Sequence, residues 1–67
     1  MTTKTLTATY EDETALANVF DDLINDGLPR ETIYRDEDML QVKVMIPEAI
    51  EPEVQAILNR HHPKALH

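Results

Sequence analysis

The 67-residue sequence contains no cysteine, no serine and no tryptophan, and it has a single glycine and a single phenylalanine. Without cysteine there can be no disulfide, thiolate metal site, iron–sulfur cluster or thiol nucleophile. Without serine a common hydroxyl nucleophile is missing, and a lone Gly27 cannot build a glycine-rich phosphate loop. Basic residues are also scarce, six Lys and Arg against thirteen Asp and Glu, for a net charge of -7. That charge repels phosphate backbones and anionic lipid surfaces, so neither nucleic acid nor a membrane is expected as a partner. No apolar run approaches the roughly 20 residues that span a bilayer, and Met1-Thr2-Thr3-Lys4 leads straight into a strand-like segment rather than a signal sequence. No paired carboxylates fall in an evident apolar pocket. The expectation is a soluble, cytoplasmic, non-enzymatic protein without a cofactor.

What is present is an echo between the two halves. Leu23-Ile24-Asn25-x-x-x-Pro29 recurs as Ile57-Leu58-Asn59-x-x-x-Pro63, a shift of 34 residues (25 to 59). The same shift pairs Leu6 with Leu40, Ala8 with Val42, Tyr10 with Val44, Leu16 with Ile50 and Phe20 with Val54. It predicts one domain over residues 1–67 built as a pseudo-repeat of 5–34 and 39–67. A domain this small buries only about 60% of the surface its unfolded chain exposes, so its stability is expected to be marginal.

Leu6, Ala8 and Tyr10 alternate with Thr5, Thr7 and Thr9, the period of a half-buried strand. Asp12 is placed to cap a helix whose Leu16, Val19, Phe20, Leu23 and Ile24 form one apolar stripe. Gly27 ends that helix, and Leu28 is placed to fold back on Leu23 as in a Schellman ending. Thr32-Ile33-Tyr34 reads as a short second strand, Asp36-Glu37-Asp38 as a hairpin tip, and Leu40, Val42, Val44 and Ile46 as a third strand. Pro52 fits the first turn of a second helix, where its missing N–H has no acceptor to lose; Ile50, Val54, Ile57 and Leu58 supply its buried face.

The order β-α-β-β-α, with Lys64 to His67 left for a last strand, is that of the ferredoxin-like α+β fold, βαββα(β). An antiparallel sheet carries both helices on one face, and the fourth strand is short or absent. In that topology the fourth strand covers the outer edge of the first. Four residues cover little, so the first strand is expected to be partly open, and an open edge is a template for another chain. The opposite sheet face would expose Thr5, Thr7, Thr9, Gln41, Lys43, Met45 and Tyr34. It is neutral and hydroxyl-rich, without the stacked aromatics and positive charge of RNA-binding sheets.

Three clusters invite a chemical reading. His61, His62 and His67 gather at the C-terminus, and imidazole is a common metal ligand. They are weak metal candidates because no fixed-spacing motif supports them, and His61 also continues the apolar stripe of the second helix. Asp36-Glu37-Asp38, with Glu31 nearby, lacks the alternate ligands and turn glycine of a calcium loop, and reads as a solvated hairpin tip. Glu11-Asp12-Glu13 with Asp21, Asp22 and Asp26 forms an acidic surround to the first helix, where Asp21 and Asp22 are candidates for docking a basic partner.

The run Tyr10 to Ala17, then Leu23 and Gly27-Leu28-Pro29-Arg30-Glu31-Thr32-Ile33, resembles the N-terminal domain of bacterial general-stress or heat-induced stress proteins. The second half is similar through its valine-rich strand and the helix ending Ile57-Leu58-Asn59-Arg60-His61, and departs at His62, where that family tends to have glycine. The resemblance implies a ferredoxin-like fold and a stress-related setting; no catalytic or cofactor residues come with it. The expected function is a small acidic interaction or regulatory module. It would self-associate as a homodimer or dock a protein partner through Thr5, Thr7 and Thr9 of the first strand or through Asp21 and Asp22. The alternative is a sensing domain that binds a small molecule or metal at a dimer interface.

Overall fold

The computed structural model describes residues 2–66. In chain order these form β1 (Thr3–Thr9), α1 (Glu13–Asn25), β2 (Ile33–Asp36), β3 (Gln41–Pro47), α2 (Glu51–Arg60) and β4 (Ala65–Leu66). Short 3-10 turns over Arg30–Thr32 and Glu48–Ile50 lead into β2 and α2. The sheet order is β2-β3-β1-β4 with every neighbouring pair antiparallel, the ferredoxin-like arrangement. Leu6, Ala8, Ile33, Val42, Val44 and Ile46 turn to one side of the sheet. There they meet Leu16, Val19 and Leu23 of α1 and Val54, Ile57 and Leu58 of α2 in a single buried cluster.

Local chemistry sets the limits of α1. The Asp12 carboxylate accepts the Ala15 N–H at 2.8 Å, satisfying one of the orphan donors of the first turn. At the other end Gly27 has φ +104°, the Gly27 N–H donates to the Ile24 carbonyl at 3.0 Å and the Leu28 N–H to the Leu23 carbonyl at 3.3 Å. This is the Schellman pair of bonds, with Leu28 packed on the core. In α2, Pro52 occupies the first turn. Its C-terminus repeats the geometry of α1 without the glycine: His62 has φ +57° and its N–H donates to the Asn59 carbonyl at 3.1 Å. Pro63 follows and has no N–H, so the second bond of the motif is missing.

These two endings make opposite predictions. Gly27→Ala meets no atom within 4 Å of the new Cβ, so its cost comes from the backbone alone, about 1–2 kcal/mol. His62→Gly relieves the same strain and is expected to gain a few tenths to about 1 kcal/mol, part of the relief being offset by glycine's greater freedom when unfolded. Urea midpoints at constant slope check both signs.

The structural correspondence of the halves is not the 34-residue shift of the sequence. Thr3 corresponds to Gln41 and Glu13 to Glu51, a shift of 38, while the helix exits Asp26 and His61 correspond at 35, because α1 has 13 residues and α2 has 10. The pattern conceals the difference. Four residues are two pleats of a strand and about one turn of a helix, so the same faces stay buried under either shift. Two strand limits also move. Thr32 belongs to the 3-10 turn rather than to β2, its hydroxyl donating to the Pro29 carbonyl at 2.7 Å. Leu40 belongs to the hairpin loop, where φ +53° reverses the chain and its side chain still reaches the core. Phe20, Ile24 and Ile50 flank the core rather than fill it.

Tyr10 ties the layers together. Its side chain is 1% exposed, and its hydroxyl donates at 2.8 Å to the Leu58 carbonyl in the last turn of α2, which also accepts the His61 N–H at 3.3 Å. Burial pushes its pKa up to about 12.

Candidate functional site

The outer edge of β1 is built by alternation. Along a strand, N–H and C=O groups of successive residues point to opposite neighbours. The Tyr10 N–H donates to Leu40 of the β2–β3 loop at 2.8 Å, whereas the Thr9 carbonyl accepts the Lys64 N–H beside β4 at 2.7 Å. Odd-numbered residues of β1 therefore aim their backbone groups away from β3. β4 stands opposite Ala8 and Thr9 only. Among the described residues no strand lies beside Thr3 and Thr5 on that side, so their N–H and C=O groups face outward.

The side chains along this edge are almost uncharged. Thr5, Thr7 and Thr9 lie on the sheet face away from the helices, opposite Met45, Lys43 and Gln41, and the Thr9 hydroxyl accepts from the Gln41 amide at 3.3 Å. Tyr34, opposite Lys43, completes the expected set on this face, and Tyr34 and Met45 are more than half exposed. Lys4, the one charge in β1, turns to the helix side. Its ammonium lies 2.9 Å from the Glu51 carboxylate, which also accepts from the Gln55 amide at 2.9 Å. The hydrogen bond to Glu51 raises the Lys4 pKa.

The other sheet edge is blunted. β2 has four residues, its Ile33 N–H is already donated to the Arg30 carbonyl, and it carries Arg35 and Asp36. The Arg35 guanidinium lies 4.8 Å over the Phe20 ring and 3.2 Å from Glu37. A short, charged edge with an occupied donor resists strand addition.

The other candidates are dispersed. Asp21 is exposed on α1. Asp22 is engaged within the molecule: its Oδ2 lies 3.2 Å from Arg60 and 3.0 Å from His61 Nε2, joining α1 to the end of α2. His61 therefore sits half-buried against a carboxylate, His62 is exposed at the helix exit, and His67 lies outside the described residues. Among the described residues no three His, Asp or Glu side chains stand together as a metal ion would require. Asp36, first of the acidic triplet, accepts the Asp38 and Met39 N–H groups at 3.1 and 3.2 Å and so fixes its own turn.

Two shallow concavities have volumes of about 140 Å³, lined by Glu13, Leu16, Ala17, Arg35 and Glu37, and about 150 Å³, lined by Thr2, Pro47, Glu48 and Ala49. Both are well below the roughly 300 Å³ at which small-molecule pockets begin. No described helix is long and apolar enough to cross a membrane.

Sequence reasoning missed the Asp22–Arg60–His61 tie and the Tyr10–Leu58 bond. The second left a signal. An inward-facing tyrosine in the Leu6, Ala8, Tyr10 alternation must bond its hydroxyl.

The fold is a ferredoxin-like α+β arrangement with a blunted β2 edge, and among the described residues β4 stands beside only Ala8 and Thr9 of the other edge. No family model matches the chain, and no curated protein or solved structure matches it.

Proposed function

We propose that this chain is a small non-catalytic interaction module that takes up an extended strand of another protein chain along the outer edge of β1. The observation that carries the reading is the pair of outward-facing backbone groups at Thr3 and Thr5, beside a β4 whose described residues stand opposite Ala8 and Thr9. In strand addition the main-chain bonds supply affinity and the alternate side chains supply selection, here through the threonine face. The contrast with β2, shortened and charged, supports β1 as the working edge. The likeness to stress-protein domains supports a stress-related setting for such a module.

Amide hydrogen exchange tests the site directly. The Thr3 and Thr5 amides are expected to exchange freely in dilute protein and to slow by about tenfold or more, equivalent to 1.4 kcal/mol, when the chain associates. Protection confined to α1 around Asp21 would overturn the reading. Asp21→Lys is the clean charge-reversal probe and is expected not to weaken association; Asp22→Lys would also break the contacts to Arg60 and His61.

A further inference from the structure

We draw no further inference here: the strongest candidate, the sheet face away from the helices, where Tyr34 and Met45 stand more than half exposed on either side of Lys43, carries nothing because nothing in the structure shows what covers it.

Discussion

Leu23→Ala is expected to leave much of the protein unfolded at 25 °C without denaturant. Leu23 is 0% exposed and sits in the last turn of α1, inside the cluster that joins both helices to the sheet. Truncating a buried leucine removes its transfer free energy and leaves a cavity, a loss of about 2–5 kcal/mol. At typical values per residue, a chain of this length has about 3–10 kcal/mol in total. The backbone bond from Leu28 to the Leu23 carbonyl survives the substitution, and alanine's better helix propensity returns only a few tenths of a kcal/mol. Urea unfolding followed by circular dichroism reads the effect, with Ile24→Ala as a half-buried control expected to lose less. A loss below about 1 kcal/mol would show that the core collapses around the missing atoms.

Raising the pH from 10 to 12 is expected to destabilise the wild-type protein and to have a smaller effect on Tyr10→Phe. The Tyr10 hydroxyl is buried and donates to the Leu58 carbonyl, and its pKa stands at about 12 against an ordinary 10.0. With a folded pKa above the unfolded one, the contribution of this group is complete below pH 10 and is lost as pH rises toward 12. The shift corresponds to a loss on the order of 2 kcal/mol across that window. Lys4 acts in the same direction, because its own raised pKa means that the bond to Glu51 also weakens as the ammonium deprotonates. The phenylalanine variant separates the two groups. At neutral pH it is expected to cost only about 1 kcal/mol, because the Leu58 carbonyl also accepts the His61 N–H at 3.3 Å. Equal alkaline losses in wild type and variant would remove Tyr10 from the account.

The second prediction concerns the joint between β1 and α2, the layer that borders the outer edge of β1. Lys4 is bonded to Glu51 and Tyr10 to Leu58, so the two ends of β1 are held to α2 by side chains while Thr3 and Thr5 keep their outward backbone groups. The edge strand is therefore held in place by contacts within the chain. A preformed strand has less ordering to undergo if another segment is added to it, as the proposed function requires.

The sequence by itself determined the elements, their faces and much of their punctuation. Period-two threonines made β1 half-buried, Asp12 and Gly27 bounded α1, and Pro52 marked the first turn of α2, because caps, turns and amphipathic periods are local and act within a few residues. Only the tertiary structure decided the 38- and 35-residue correspondences, the engagement of Asp22 with Arg60 and His61, and the blunting of the β2 edge. Each depends on which segments meet across the fold. A pattern that repeats every two or every 3.6 residues says which side of an element is buried but cannot say against which partner, or in which register, it comes to rest.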